Sequence, residues 1–296
     1  GDKPTKYAYA YVWNKTDNSN LYVKNGTELR ILVEFNETLG TLPVLKIAGY
    51  EDVQFKSSGN NIYAADIKIK ENEKTLKQGL LEFTISGHKD IAGNDGVTIT
   101  HLQANQNVTY DRTNPIVEGV NNNYYYNKPI TITTIRDIAP IKSATIDDKP
   151  YELGTEYFEE GEHLLVIYDM AGNRLRVKFY MDETKPDLTI TQSIGQNPGV
   201  CAADKSPNTT VIKSADKEWV ITAQKDEHGT YWNCNGIGFL GEGEYTITTT
   251  DAAGNVSTGK TIIDLTAPVA TPSYTEKTIE VNSVDEFTDY PTFEIT

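Results

Sequence analysis

Apolar and polar residues alternate along much of this chain in short runs, separated about every eight to twelve residues by turn-forming residues. Residues 130–134 alternate apolar and polar side chains with a period of two, which predicts a half-buried strand. Residues 7–13 alternate large rings with small side chains, which favours an edge strand. Residues 164–168 and 175–180 flank a turn motif and predict a hairpin. Helical periodicity is nearly absent, so the pattern predicts an all-β chain.

Two short motifs each occur three times, in the same order. Asp-x-Ala-Gly-Asn occupies residues 90–94, 169–173 and 251–255, spaced 79 and 82 residues apart. Asp-x-Thr-x-Pro follows each copy, at residues 111–115, 182–186 and 264–268. Gly and Asn adopt positive φ at little cost, so the first motif predicts a hairpin turn. Proline removes a ladder donor, so the second motif predicts a linker or strand start, and the recurrence of both predicts a tandem array.

The motif spacing predicts four domains, at residues 1–112, 113–184, 185–266 and 267–296. The first is longer than the next two, and the third contains a cysteine-bounded insert. A third recurrent segment, polar and containing Tyr, precedes a strand-like run and begins at residues 20, 123 and 289. Its last copy predicts a truncated fourth repeat at the end of the sequence. Repeats of about 70 to 80 residues with six or seven strands fit immunoglobulin-like sandwiches.

The paired motifs resemble those of the bacterial immunoglobulin-like (BIg-type) repeat domains of large surface and adhesin proteins, over residues 20–296. The resemblance implies tandem immunoglobulin-like β-sandwiches arranged as an elongated rod, in a protein that is secreted or attached to the cell surface. It implies a non-catalytic stalk or adhesion segment that spaces or presents a binding surface for a host surface protein or glycan. The alternative is an array of accessory carbohydrate-binding modules in a secreted glycosidase or peptidase.

Composition and charge argue against several classes of function. Lys and Arg number 27 and Asp and Glu 42, a formal net charge of −15, so nucleic acid and anionic lipid would be repelled. No apolar run reaches the roughly 18 residues that membrane insertion requires. The four His are scattered, residues 159–162 are interpreted as a solvated acidic loop, and no catalytic motif occurs, so we expect no enzyme. We expect a monomeric segment of a larger chain.

Cys201 and Cys234 both lie in the third predicted domain. An extracellular setting favours a disulfide between them, with two free buried thiols as the alternative. A bridge closing a loop of this size would stabilise the domain by roughly 3–4 kcal/mol. The two cysteines are not spaced as structural zinc ligands.

The recurrent aspartates are candidate calcium ligands. In an immunoglobulin-like sandwich the chain enters at the end that holds the loop between the last two strands, so each linker Asp is expected beside the following turn motif. Calcium prefers carboxylate, amide and carbonyl oxygens. The predicted ligands are Asp111, Asp169 and Asn173 at one junction, and Asp182, Asp187, Asp251 and Asn255 at the next. The resemblance adds that some related adhesin arrays are stiffened by interdomain calcium; the alternative is that these residues only cap turns.

Aromatic residues around the cysteine-bounded insert are candidates for ligand binding. Tyr231 and Trp232 are adjacent in the insert, where added loops on a rigid scaffold often carry function. Trp219 lies in a strand-like run and is predicted to belong to the core. An adhesive epitope at Trp232 is the sharper hypothesis, and a passive stalk is the alternative.

Overall fold

The computed structural model describes residues 7–17, 20–103, 106–135, 137–192, 198–275 and 278–284. Over these residues every regular element is a β-strand, apart from one 3-10 turn at Gly238–Leu240. The all-β prediction is confirmed. No helix among the described residues is long and apolar enough to cross a membrane. The strand predicted after residue 289 lies outside the described residues.

The strands are numbered in chain order. Before residue 113 they are β1 (Tyr7–Asn14), β2 (Tyr22–Val23), β3 (Glu28–Phe35), β4 (Leu39–Thr41), β5 (Val44–Lys46), β6 (Val53–Gln54), β7 (Lys56–Ser57), β8 (Ile62–Lys68), β9 (Gly79–Leu80), β10 (Thr84–Ser86), β11 (Lys89–Asp90) and β12 (Thr109–Tyr110). Up to residue 184 they are β13 (Val117–Glu118), β14 (Tyr124–Tyr126), β15 (Ile130–Thr131), β16 (Thr133–Thr134), β17 (Ile141–Ile146), β18 (Lys149–Pro150), β19 (Glu156–Tyr157), β20 (Gly161–Asp169) and β21 (Arg174–Met181). The remainder are β22 (Asp187–Thr191), β23 (Gly199–Asp204), β24 (Asn208–Lys213), β25 (Glu218–Thr222), β26 (Gln224–Lys225), β27 (Tyr231–Gly236), β28 (Gly243–Asp251), β29 (Val256–Ile263), β30 (Val269–Thr275) and β31 (Thr278–Val284).

The chain divides into two compact units. The first comprises Gly1–Asn123, Ile130–Tyr157 and Glu162–Phe179, and the second comprises Tyr124–Pro129, Phe158–Gly161 and Tyr180–Thr296. One cluster of buried apolar residues in the first unit extends in sequence from Ala10 to Tyr110. Another, in the second unit, extends from Val200 to Ile263. The four domain boundaries inferred from motif spacing stay a prediction.

Alternation along the strands decides which side chains form the core of the first unit. Every second residue of β3 from Leu29 to Phe35 is buried, and β3 lies in a sheet of order β1-β3-β8-β7. The edge position of β1 agrees with its sequence pattern, because Ala10 is buried while Trp13 is exposed. Full burial of a Leu or Ile side chain contributes about 1.5–3 kcal/mol, so this periodic face is a principal source of stability.

The predicted hairpin around residues 169–173 is confirmed. Strands β20 and β21 flank this turn as neighbours in the run β21-β20-β17-β18. Alternate residues of β20, among them Leu165 and Ile167, are fully buried. The same arrangement recurs where β28 and β29 pair around residues 251–255. The turn motif therefore connects two long antiparallel strands in both places.

Strands β22 to β29 form an immunoglobulin-like sandwich. One sheet has the order β22-β23-β27-β26 and the other β25-β24-β28-β29. Lettered along the chain, these sheets are A-B-E-D and C′-C-F-G, which is the strand order of the immunoglobulin fold. Val200 from the first sheet and Ile247 from the second lie in one buried cluster, so the two sheets enclose a common core. Trp219 packs against this cluster, in agreement with its predicted core position.

The predicted disulfide joins Cys201 and Cys234. The two residues are direct partners in the antiparallel pair β23–β27, with a Cα–Cα distance of 4.1 Å. The bridge therefore links neighbouring strands of one sheet, whereas the disulfide of antibody domains connects the two sheets. Cys234 is exposed, so the bridge lies on the outer face of the sheet.

Candidate metal centres

Each Asp-x-Ala-Gly-Asn motif forms the same tight turn. The Gly N–H donates to the carbonyl of Asp90, Asp169 or Asp251 at 3.1–3.2 Å. The Asn backbone N–H donates to the Asp Oδ1 at 2.8 Å in all three copies, and the Asn Nδ2 donates to Oδ2 at 2.6–2.9 Å. The Gly φ values are 89°, 86° and 92°, in the left-handed region that disfavours other residues. The motif therefore holds its carboxylate in one orientation.

Each linker motif holds its own Asp by local hydrogen bonds. The Oδ1 atom accepts the backbone N–H two residues later, at 2.9 Å for Asp111 and 3.1 Å for Asp182. The turn Asn then contacts the linker backbone. Asn173 Nδ2 donates to the carbonyl of Asp111 at 3.1 Å, and Asn255 Nδ2 donates to the carbonyl of Asp182 at 2.7 Å. Asp111 and Asp182 therefore each lie beside the following turn, where the sequence predicted them.

The third recurrent segment, which begins at residues 20 and 123, also lies beside these turns. Lys24 Nζ donates to the carbonyl of Gly172 at 2.6 Å. At the second turn, Asn127 Nδ2 lies 3.7 Å from the position that a Cβ would take on Gly254. All three recurrent segments therefore meet at the turn, which gives a physical reason for their recurrence together.

A third carboxylate, which the sequence reasoning missed, completes each site. Asp137 follows β16 and Asp204 ends β23, and both begin an Asp-x-small-Pro sequence, at residues 137–140 and 204–207. The motif occurs once after β16 and once at the end of β23. An alignment of the repeats with one another would have revealed it. Each resulting group contributes one carboxylate oxygen per residue, and these three oxygens lie within 4.8 Å of one another. The groups are Asp111, Asp137 and Asp169, and Asp182, Asp204 and Asp251.

The segment after this third Asp also binds the linker carboxylate. The Ala139 N–H donates to Asp111 Oδ2 at 3.0 Å. At the equivalent position, Ser206 Oγ donates to Asp182 Oδ2. Both oxygens of each linker carboxylate are therefore oriented before any ion is considered.

Burial and like charge dominate the electrostatics of the sites. Burial raises the pKa of Asp204 to about 6, and the charges of Asp182 and Asp251 act in the same direction. Burial likewise raises the pKa of Asp169 and of Asp251. Asp90 belongs to no such group among the described residues, and the hydrogen bonds of its own turn lower its pKa. The hydrogen bonds of the turn lower the pKa of all three aspartates, and burial outweighs them at Asp169 and Asp251 but not at Asp90.

The donor set fits a calcium ion. Asp204 is only 8% exposed, and its Oδ2, like that of Asp137, is buried without a hydrogen-bond partner among the described residues. Within the described ranges, no ion pair involves any of the six aspartates. Uncompensated buried carboxylates are costly. Calcium–oxygen distances of about 2.3–2.6 Å place opposite ligands up to about 5 Å apart, so one ion fits each group.

Three other predicted calcium ligands, Asp187, Asn173 and Asn255, do not belong to the carboxylate groups. Asp187 is not in the second group; it lies in β22 opposite Ala203 and is exposed. The nitrogens of Asn173 and Asn255, rather than oxygens, face the turn carboxylates.

Tyr231 and Trp232 are consecutive in β27, so their side chains point to opposite faces of the sheet. Trp232 is 46% exposed and borders a shallow depression of about 340 Å³ that Asp187 and Thr230 also line. Lys225 Nζ lies 5.4 Å from the centre of the Tyr231 ring. The two rings therefore do not form one platform.

Comparison with known proteins gives a likeness of structure only. No protein-family model matches the chain, and no curated protein matches its sequence. Among solved structures, a 1.5-MDa bacterial ice-binding adhesin is 13% identical, with 88% of this chain and 97% of that one covered and a TM-score of 0.30. A Ca²⁺-stabilized adhesin of an Antarctic bacterium is 13% identical, covering 92% and 78%, with a TM-score of 0.32. A tetra-tandem repeat from the extending region of a large adhesion protein is 16% identical, covering 89% and 76%, with a TM-score of 0.26.

Proposed function

We propose that this chain is a non-catalytic stalk or adhesion segment of an extracellular bacterial surface protein, in which calcium ties the linkers at Asp111 and Asp182 to the turns beside them. The observation that carries the proposal is Asp204, a buried carboxylate with an unpartnered oxygen beside Asp182 and Asp251. The charge of a bound ion would offset the repulsion within each group.

The origin of the three ligands in each group explains what an ion would do. One carboxylate comes from a linker, one from the turn between two long strands, and one from the segment after an early strand. An ion held by all three crosslinks parts of the chain that are distant in sequence, and its binding energy becomes folding energy. The linker then loses rotational freedom, which suits a segment that spaces or presents a binding surface.

The disulfide supports an extracellular setting. Cys201 and Cys234 are bonded, and such bridges persist in oxidising compartments. Calcium sites of extracellular modules commonly bind with Kd values of about 10⁻⁴–10⁻³ M. The disulfide, and calcium sites of that affinity, both suit a protein outside the cell.

Calcium titration of the chelator-treated chain by calorimetry tests the proposal. We expect two ions per chain, one for each carboxylate group. Asp137→Asn is expected to abolish one binding event and Asp204→Asn the other. Asp90→Asn, which changes the same turn outside either group, is the matched control and should leave both events in place. Absence of binding to the unmodified chain, or two events retained in either variant, would contradict the proposal.

Carbohydrate binding is a second candidate function, and the exposed Trp232 favours it. An exposed ring beside carboxylate and hydroxyl groups offers a stacking surface with hydrogen-bond acceptors. If this candidate is correct, glycan-array binding is expected to be lost in Trp232→Ala and kept in Trp13→Ala, which also removes an exposed ring. Equal binding by the two variants would reject a sugar site at Trp232.

A further inference from the structure

A third recurrent side chain holds the start of each linker. Glu160 Oε1 accepts the Glu183 N–H at 2.8 Å and the Thr184 Oγ1 hydroxyl at 3.5 Å. Glu242 Oε1 accepts the Leu265 N–H at 3.0 Å and also the hydroxyl of the following Thr. These contacts give Glu160, within the acidic segment interpreted from the sequence as a solvated loop, a defined partner.

The same contact exists at the first linker with a neutral residue. Gln78 Oε1 accepts the Arg112 N–H at 2.8 Å. In all three cases the bonded N–H belongs to the residue directly after the linker Asp. In all three cases, too, the accepting residue precedes a Gly with positive φ, at 102°, 128° and 143°. We call Gln78, Glu160 and Glu242 the exit clamps.

We propose that the exit clamps Gln78 and Glu160 are positioning residues for the metal centres: each fixes the linker backbone so that the adjacent Asp carboxylate meets the other two ligands. Glu242 makes the same contact beside Asp264, which belongs to neither carboxylate group. The inference rests on the proposed calcium function. It adds residues that belong to neither carboxylate group. It also predicts that calcium affinity depends on a hydrogen bond made at the linker backbone.

The contacts around Asp182 give the physical reason. Its Oδ1 accepts the Thr184 N–H, and its carbonyl accepts Asn255 Nδ2, so the side chain and one peptide group are held from the turn side. Glu160 holds the next peptide group through the Glu183 N–H. Without that bond the linker gains backbone freedom. Ion binding must then order the linker again, and the entropic cost of this ordering lowers the calcium affinity.

Gln78 identifies the chemistry that the clamp requires. A carboxamide oxygen accepts the linker N–H there at the same 2.8 Å as the carboxylate of Glu160. Acceptance of a hydrogen bond, rather than negative charge, is therefore the property shared by all three clamps. A Gln at position 160 should retain the function, and an Ala should lose it.

The test compares Glu160→Ala with Glu160→Gln in the full chain by calcium calorimetry. Loss of a hydrogen bond to a charged group corresponds to about a tenfold decrease in affinity. We therefore expect Glu160→Ala to weaken one binding event about tenfold, while the site of Asp111, Asp137 and Asp169 serves as the internal control. Glu160→Gln is expected to bind as the unmodified chain does.

Amide hydrogen exchange in chelator supplies a readout that does not depend on the ion. The Glu183 N–H should exchange faster in Glu160→Ala than in Glu160→Gln, because only the second variant keeps an acceptor. Two-ion binding by the unmodified chain with no loss of affinity in Glu160→Ala would overturn the inference and leave the proposed function standing. Equal weakening in both variants would overturn the hydrogen-bond role. No calcium binding by the unmodified chain would remove the proposed function and the inference together.

Discussion

Replacing Cys201 and Cys234 by Ser is expected to destabilise the sandwich of β22 to β29 by about 3–4 kcal/mol. The bridge closes a loop with a sequence separation of 33 residues, and its removal enlarges the conformational freedom of the unfolded chain. Urea unfolding followed by tryptophan fluorescence measures the effect, because Trp219 and Trp232 both lie in this sandwich.

Two controls accompany this experiment. The chain has only two cysteines, so a reductant should destabilise the unmodified protein and leave the double Ser variant unchanged. The urea midpoint of the unit whose core extends from Ala10 to Tyr110 should not change in either case. An unfolding midpoint that is unaffected by loss of the bridge would show that the disulfide contributes nothing to the stability of the sandwich.

Asp204→Asn is expected to stabilise the metal-free chain near neutral pH, by about 3 kcal/mol on the basis of 1.36 kcal/mol per pKa unit. Burial raises the pKa of Asp204 from 3.8 to about 6, so the folded state is penalised wherever this carboxyl is ionised. A raised acid pKa means that the folded state binds more protons, so this destabilisation is absent below the unfolded pKa and complete above about pH 6. The metal-free protein should therefore gain stability as the pH falls from about 7 to about 4, and Asp204→Asn should reduce that gain.

Calcium is expected to offset this difference in stability between the two proteins. An ion that binds only the folded state adds about 2.7 kcal/mol when its free concentration is about 100-fold above Kd. The unmodified chain should gain this stability from the second group, and Asp204→Asn should not. Thermal unfolding in chelator should show the stability difference, and thermal unfolding in calcium should show its loss.

Asp90→Asn provides the matched control, because the hydrogen bonds of the turn lower the pKa of Asp90. The substitution should destabilise its unit with or without calcium. Destabilisation of the metal-free chain by Asp204→Asn would show that this carboxylate is already compensated in the folded protein.

Local sequence pattern was sufficient for much of the secondary structure. Residues 164–168 and 175–180 marked β20 and β21, because these strand-like runs flank a turn motif. Asp-x-Ala-Gly-Asn marked the turn between them, since Gly172 requires a left-handed φ and the Asp accepts hydrogen bonds from within the motif. Such properties depend on neighbours a few residues away and can therefore be read from the chain.

The membership of the two carboxylate groups was only partly predictable. The linker and turn aspartates recur together three times in the sequence, but Asp137 and Asp204 were missed because the end of an early strand meets the turn only when two sheets pack. Asp187 was included because it is near Asp182 in sequence, yet strand geometry places it opposite Ala203, outside the group.

The β class and the positions of the repeated turns follow from the amino-acid sequence alone, because apolar period and turn chemistry are local properties. The tertiary structure decided which third carboxylate joins each pair, which residue holds each linker, and that Tyr231 and Trp232 face opposite sides. Those outcomes depend on strand register and on contacts between residues far apart in the chain, and a one-residue change of register would exchange the two faces.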